Sequence, residues 1–188
     1  YDGYLFGDTE VYNPWSVINY VDDSVEGERF PKPYWSNTSS NSIVRELIEY
    51  ADSGAKKEIE DLIAGGTIYK PVHEEITYGD IHVSQDNLWN FLFFTGYLKM
   101  EKQKLEGNQI YLTLSIPNEE IRYIYQNTIR EWFESQVKQT DFRNFYKSML
   151  TGDTDKMEAF INGQLSKSIS YYDNAENFYH GYMVGIFN

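Results

Sequence analysis

Aromatic side chains limit what this 188-residue chain can fold into, since it contains 17 Tyr, 11 Phe and 4 Trp residues. Aromatic residues make up 17% of the sequence and hydrophobic residues 41%, which is enough buriable area for a packed core. This composition excludes an intrinsically disordered chain and a collagen-like chain. The length is that of one domain or of two small domains.

Neither a membrane span nor cysteine chemistry is indicated. The densest apolar stretch, residues 88–98, is shorter than the roughly 18 residues that a transmembrane helix needs. The chain has no Cys, which excludes disulfides, thiolate metal sites and cysteine nucleophiles. The first residue is Tyr1, and no basic stretch followed by an apolar run opens the chain. We therefore expect a cut N-terminus, no signal peptide, no membrane partner and a cytoplasmic location.

The acidic charge is concentrated in the first half of the chain. The formal net charge is -13, and residues 1–94 hold 6 Lys or Arg against 17 Asp or Glu. Residues 95–188 hold 10 basic and 12 acidic residues, so they are nearly balanced. A nucleic-acid footprint should be basic, so the charge argues against nucleic-acid binding by the first half only.

Helices and a hairpin are predicted in the first half. Asn13 and Pro14 predict a helix start, and the following apolar face contains Trp15, Ile18, Tyr20 and Val21. Apolar residues at helical spacing predict helical structure over 42–63, and Asp86–Asn87 is predicted to cap a helix over 88–94. A hairpin is predicted from strands 97–102 and 109–116, because Ile110, Leu112, Leu114 and Ile116 alternate.

The second half is predicted to be helical. Asn118 should cap an amphipathic helix, two further helices surround Gly152, and a last helix should begin near Ala175 and run to the end of the chain. We therefore predict a mainly helical α+β protein with roughly seven helices. A winged-helix-like lobe, a helix plus a β-hairpin, is followed by a helical connector, with the lobes meeting near Pro117.

Motifs for nucleotide binding and zinc catalysis are absent from the sequence. There is no G-x-x-x-x-G-K-[ST], G-x-G-x-x-G or G-x-S-x-G, and Thr77 stands where H-E-x-x-H would require a second His. The segment around this position still contains several potential metal ligands, which are His73, Glu74, Glu75, Asp80 and His82. These side chains could form a divalent metal site, or they could belong to an acidic surface loop with two solvated histidines.

A second candidate site lies near the C-terminus. Glu176 and His180 are four residues apart on the predicted last helix, so their side chains face the same way. The carboxylate could orient the imidazole for catalysis, or the two could form a hydrogen-bonded pair on a helix surface.

A nucleic-acid site would need cations on the winged-helix-like lobe. The helix predicted over 88–94 lacks Lys and Arg, whereas a major-groove reader needs donors for bases and phosphates. The composition indicates a buried helix. Lys99, Lys102 and Lys104, on the predicted wing, are the candidate phosphate contacts.

Five short segments, taken in order, resemble one family. They are Y-D-G-Y-L-F-G at 1–7, V-Y-N-P-W-S at 11–16, K-P-Y-W-S-N-T-S at 32–39, S-I-P-N-E-E-I-R at 115–122 and E-N-F-Y-H-G at 176–181. The chain resembles the bacterial AAA-ATPase-like proteins of unknown function that continue into a PD-(D/E)XK nuclease-like domain. The resemblance covers almost the whole chain.

The resemblance implies a position between two catalytic modules. Residues 1–116 would be the C-terminal lid and winged-helix-like part of the ATPase-like module. Residues 117–188 would be a helical connector and the first helix of the nuclease-like domain. The family's P-loop and nuclease core motif would lie outside this chain, so ATP and magnesium are implied for the parent protein and no cofactor for this segment. Glu176 matches the acidic residue that the first nuclease helix often supplies to the metal site.

Two functions are expected from these observations. The first is a non-catalytic lid and connector segment whose partners are the flanking modules of the same chain. The alternative is a nucleic-acid or protein binding module that uses the winged-helix-like lobe. A metal-dependent enzyme centred on His73 and His82 is a third hypothesis.

Overall fold

The computed structural model describes residues 1–165, apart from residues 8, 29, 38–41, 74–75, 82 and 140. In this part of the chain the fold is α+β and mainly helical, as predicted, with seven α-helices and two antiparallel sheets. None of the helices in these residues is both long enough and apolar enough to cross a bilayer. The predicted helix after Ala175, with Glu176 and His180, lies outside the described residues.

The N-terminal segment is a small hairpin followed by a helix. Strand β1 (Tyr4–Phe6) pairs with β2 (Thr9–Val11), and helix α1 (Pro14–Val25) follows. The Asn13 side chain accepts hydrogen bonds from the backbone N–H groups of Trp15 and Ser16, and Pro14 occupies the first helical turn, so the predicted start is confirmed. A 3₁₀ turn follows at Tyr34–Asn37.

A winged-helix-like lobe forms the centre of the first unit. In chain order it consists of α2 (Ser42–Tyr50), α3 (Ser53–Ile63), β3 (Ile68–Pro71), a 3₁₀ turn (Tyr78–Asp80), α4 (Gln85–Phe94), β4 (Lys99–Glu106) and β5 (Gln109–Ser115). Strand β5 lies between β3 and β4, and both pairings are antiparallel. The helix followed by a β-hairpin is therefore confirmed as the organising feature of this lobe.

The core of this lobe is mainly aliphatic, with two fully buried aromatic residues, Trp89 and Tyr97. Leu112 and Leu114 face it from β5, because alternate strand residues point to the same side of a sheet. The helices contribute their apolar stripes. The fully buried large side chains of the first unit include Leu47, Ile48, Ile59, Leu62, Trp89, Leu92, Tyr97 and Tyr125.

Two predicted boundaries differ from the structure. Strand β4 continues to Glu106, beyond the predicted end at Lys102, so Gly107 and Asn108 alone form the turn, with Gly107 at φ 61°. The second half of β4 is exposed and charged, so it has no apolar alternation to reveal it. Helix α4 is capped by Ser84 rather than by Asp86–Asn87, since the Asn87 N–H donates to the Ser84 hydroxyl at 3.1 Å.

Helix α5 (Glu119–Gln139) is capped by Asn118 as predicted, because the Ile121 N–H donates to Asn118 Oδ1 at 3.1 Å.

The chain divides into two compact units, Tyr1–Ile129 and Arg130–Asn188. The predicted assignment of residues 1–116 to a lid and of residues 117–188 to a connector stays a prediction.

The second unit contains a pair of helices. Helix α6 (Arg143–Thr151) ends at Gly152, which is left-handed at φ 68°, and Asp153 caps α7 (Thr154–Leu165) by accepting from the Lys156 N–H. Phe145 is buried at the centre of a small apolar cluster. Its neighbours are Phe142, Met149, Met157, Phe160 and Ile161.

Candidate functional site: a buried carboxylate cluster

The most distinctive site in the first unit is built around Glu120, in the first turn of α5. Its side chain is buried, with 6% of the residue exposed, whereas the side chain of the adjacent Glu119 is 86% exposed. The partial positive charge at a helix N-terminus favours a carboxylate at this position. In the described residues no Lys or Arg forms an ion pair with Glu120.

Both carboxylate oxygens of Glu120 accept hydrogen bonds from the N-terminal segment. The Ser16 hydroxyl, on the inner side of α1, donates to Oε2 at 2.7 Å. The backbone N–H of Trp35, in the first 3₁₀ turn, donates to Oε1 at 2.8 Å. One side chain therefore connects α1, the 3₁₀ turn and the start of α5.

Asn118 adds a second connection at the same place. While its Oδ1 caps α5, its Nδ2 donates to the backbone carbonyl of Asp2 at 2.7 Å. The next residue, Gly3, has φ 90°, and a Cβ placed there would lie 2.0 Å from the carbonyl oxygen of Pro117. Only glycine therefore allows the N-terminal strand to approach α5 this closely.

Three aromatic side chains lie together beside the 3₁₀ turn whose Trp35 N–H bonds to Glu120. Tyr4 lies against Trp35 with ring centroids 6.3 Å apart, and Trp35 stacks on Tyr97 at 5.4 Å. The Tyr4 hydroxyl donates to the carbonyl of Gly96 at 3.0 Å. Burial, together with the negative charge of Glu120, raises the pKa of the Tyr4 hydroxyl well above its ordinary value. We call Tyr4, Ser16, Trp35, Asn118 and Glu120 the Glu120 cluster.

Arg122 joins the same turn of α5 to the winged-helix-like lobe. Its guanidinium donates to the backbone carbonyl of Ile63 and, at 3.4 Å, to that of Leu62, at the C-terminal end of α3. A cation at this end of a helix satisfies carbonyls that have no partner within the helix. The first turn of α5 is thus bonded to the N-terminal segment through Glu120 and to α3 through Arg122.

The Glu120 cluster connects three elements through one buried side chain. Glu120 is 6% exposed, and each of its carboxylate oxygens accepts a hydrogen bond from the chain itself. The sequence brought Glu120 to attention only as part of the segment at 115–122. Its spacing of four residues from Ile124, on the apolar stripe, is the signal that could have revealed its burial.

The three predicted wing lysines lie on one face of the sheet. A bulge in β4 between Met100 and Lys102 places Lys99, Lys102 and Lys104 opposite Ser115, Thr113 and Tyr111. Without this bulge, the odd spacing from Lys99 to Lys102 would put these two lysines on opposite faces. The face also carries Tyr69, which stacks on Tyr111 with ring centroids 5.1 Å apart. We call Tyr69, Lys99, Lys102, Lys104 and Tyr111 the wing face.

The wing face is only weakly cationic. Lys99 Nζ lies 3.2 Å from a carboxylate oxygen of Glu101, and Lys104 Nζ lies 2.7 Å from one of Glu106. Two of the three lysines are therefore paired with an acidic residue of their own strand.

The predicted metal residues are only partly described. The Asp80 carboxylate accepts hydrogen bonds from the Thr77 N–H at 3.0 Å and from its hydroxyl at 2.6 Å, so it caps the 3₁₀ turn. The His73 N–H donates to Asn90 Oδ1 at 2.9 Å. Residues 74, 75 and 82 lie outside the described residues. The described part of the chain contains no group of three or more side chains that could hold a metal ion.

An apolar cavity of about 390 Å³ lies in the first unit beside α2 and α4. It is lined by Leu47, Tyr50, Ala51, Ile81, Ser84, Gln85 and Leu88. The lining residues that the structure describes include no carboxylate, imidazole or cation.

The chain matches no family model, no curated protein and no solved structure in comparisons with known proteins.

Proposed function

We propose that this chain is a non-catalytic lid and connector that couples a nucleotide-binding module to a nuclease-like module in a cytoplasmic bacterial protein. The observation that carries the proposal is the pair of hydrogen bonds from Ser16 and Trp35 to the buried Glu120 carboxylate. The family resemblance supplies the identity of the two modules.

Four of the five segments that carry the resemblance are joined by hydrogen bonds. The Asn13 N–H donates to the carbonyl of Tyr1 at 2.8 Å, and the Tyr1 hydroxyl donates to that of Lys32 at 2.7 Å. Bonds from Ser16 and Trp35 to Glu120, and from Asn118 to Asp2, join these segments to residues 115–122. The segments therefore form one structural unit, which supports a shared role in transmitting motion.

The coupling follows from the cost of separating these groups. A buried carboxylate that loses its donors retains its desolvation penalty, and each hydrogen bond to a charged group contributes about 1.5–3 kcal/mol. A displacement of α1 or of the 3₁₀ turn therefore moves the start of α5 with it, because moving alone would leave Glu120 unsatisfied.

ATP and magnesium, which the resemblance implies for the parent protein, do not fit the residues of this segment. The sequence has no P-loop, and the described residues provide no cluster of metal ligands. We therefore derive no chemical step through either group.

The proposal is tested by assaying the purified 188-residue chain for ATP hydrolysis and for magnesium-dependent cleavage of duplex DNA. We expect both rates to equal those of buffer controls. ATP hydrolysis or DNA cleavage above background would overturn the non-catalytic assignment. The activity must fall in a variant of the chain that keeps the native circular dichroism spectrum, which shows that it belongs to this protein.

A second candidate function is docking of a nucleic-acid backbone on the wing face. The bulge in β4, which brings Lys99, Lys102 and Lys104 to one face beside Tyr69 and Tyr111, favours it. We expect any binding of labelled duplex at low salt to weaken with salt, by a log–log slope of about −0.9 per phosphate contacted. Charge reversal of the three lysines should abolish it. An absence of binding at low salt removes this candidate.

A further inference from the structure

Helix α1 presents an apolar stripe to solvent. Trp15, Ile18, Val21 and Val25 follow one another at spacings of three, three and four residues, so they share one side of the helix. Their exposed fractions are 56%, 67%, 54% and 82%. The first unit therefore carries a helical face of the kind that usually packs against a partner. We call these four residues the α1 stripe.

Within the part of the chain that the structure describes, α1 packs through a side other than the α1 stripe. Ser16, which is fully buried, faces the opposite direction and bonds to Glu120. The sequence predicted Trp15, Ile18, Tyr20 and Val21 as the apolar face of this helix. The structure exposes Trp15, Ile18 and Val21, whereas Tyr20 is half-buried and lies against Tyr1 with ring centroids 6.0 Å apart. The inner side of α1 thus carries the hydrogen bond from Ser16 and the ring contact of Tyr20 with Tyr1, while the α1 stripe has no covering within the described residues.

Acidic residues outnumber basic ones in the sequence around the α1 stripe. Residues 1–32 contain seven Asp or Glu against two basic residues, Arg29 and Lys32. Asp22 is exposed and lies, by helical spacing, on the same side of α1 as the stripe. Lys32 is bonded to Asp23 and Glu28 at 3.0 and 2.7 Å.

These charges determine which partner fits. A second copy of the chain would bring two acidic surfaces together, and like charges across an interface oppose association. A cationic border on the partner would instead complement Asp22 and its acidic neighbours. A spacing of three, three and four residues is that of a helix–helix seam.

We propose that the α1 stripe docks an amphipathic protein helix whose apolar face is bordered by lysine or arginine. The inference rests on the proposed function, because it supplies the surface through which a neighbouring module would engage the connector. Since α1 is bonded to Glu120 through Ser16, a displacement of α1 by the docked helix would act directly on the hydrogen bonds of the Glu120 cluster.

A defined probe tests the proposal. Two synthetic 18-residue amphipathic helices share one leucine face, which is bordered by lysine in the first and by glutamate in the second. Binding to the 188-residue chain is followed by the emission of Trp15, isolated by subtracting the signal of a Trp15→Phe variant. We expect the lysine peptide to bind with a blue shift, at least tenfold more tightly than the glutamate peptide.

Two variants locate the binding surface. The double variant Ile18→Gln with Val25→Gln should bind the lysine peptide at least tenfold more weakly than the wild-type chain. Leu105→Gln, at an exposed position on β4, should leave the affinity for this peptide unchanged. Equal binding of both peptides, or equal binding by the stripe variant, would overturn the proposal. Dimerisation in light scattering that the stripe variant abolishes would also overturn it, in favour of a second copy. Failure here leaves the catalytic assays above unaffected, so the two proposals fail separately.

Discussion

At the scale of single residues, the N-terminal segment depends on a carboxylate that is stabilised by hydrogen bonds and a helix terminus, with no cation paired to it among the described residues. Glu120 and Glu119 are adjacent in sequence and both occupy the first turn of α5, yet only Glu120 is buried. The difference arises from helical geometry, since Glu120 shares a side of the helix with Ile124. The two residues form a matched pair for mutation.

We expect Glu120→Ala to lower the free energy of unfolding by about 2–4 kcal/mol, because it leaves the Ser16 hydroxyl and the Trp35 N–H without their acceptor. Glu119→Ala, which removes only a surface contact to Arg122, should cost less than about 1 kcal/mol. Urea denaturation measures both values. Equal losses in the two variants would show that the buried hydrogen bonds contribute little.

Two tyrosines, Tyr125 and the half-buried Tyr4, should respond to mutation in opposite ways. The Tyr125 hydroxyl is fully buried and has no hydrogen-bond partner among the described residues, whereas that of Tyr4 donates to the carbonyl of Gly96. Tyr125→Phe should leave stability unchanged or raise it by up to about 1–2 kcal/mol, and Tyr4→Phe should lower it by about 1 kcal/mol. A loss above about 1.5 kcal/mol for Tyr125→Phe in urea melts would contradict this assignment.

The same tyrosines predict a loss of stability at alkaline pH. Burial raises the pKa of Tyr125 and of Tyr4 above the ordinary value of 10.0, so folding favours the neutral phenols. Their contribution is complete below pH 10 and is lost as the pH rises above 10 toward the raised values. Urea melts between pH 8 and pH 11 should therefore show a smaller alkaline loss for Tyr125→Phe than for the wild-type chain.

At the scale of elements, helix starts and the hairpin could be predicted because their signals are local. Asn13, Asn118 and Asp153 each cap the predicted helix, and β5 shows the predicted alternation. The end of β4 could not be predicted, since its pairing with β5 replaces any apolar pattern of its own. The cap of α4 was misplaced because Asp86 and Ser84 are both good capping residues.

Asn90 connects α4 to the end of β3. Its amide donates to the carbonyls of Pro71 and Asp86 at 2.8 and 2.7 Å, and it accepts from the His73 N–H. We expect Asn90→Ala to lower the free energy of unfolding by about 2–4 kcal/mol, because these backbone groups lose their partner. Asn19→Ala, which removes a bond only to a carbonyl of its own helix, should change it by less than about 0.5 kcal/mol. Thermal melts showing similar losses for both would contradict this role.

At the scale of the whole molecule, the sequence predicted the class of fold but not the convergence at Glu120. Its bonds to Ser16 and Trp35 span 104 and 85 residues of chain, and no local pattern specifies contacts at such separation. The same holds for the approach of Gly3 to Pro117. The wing lysines could be identified from the sequence. Their position on one face of the sheet depends on a β-bulge that no sequence pattern predicts.

The central claim, that Glu120 couples α1 and the 3₁₀ turn to α5, is tested most directly by hydrogen exchange in the Glu120→Gln variant. We expect amide exchange to rise together, about tenfold or more, in peptides covering residues 13–20, 34–37 and 119–124, because removing the charge weakens both bonds at once. Peptides covering β3 and β5, and all peptides of Glu119→Gln, should keep the wild-type rates. A rise confined to residues 119–124 would contradict the coupling, since α1 and the 3₁₀ turn would then be held independently of Glu120.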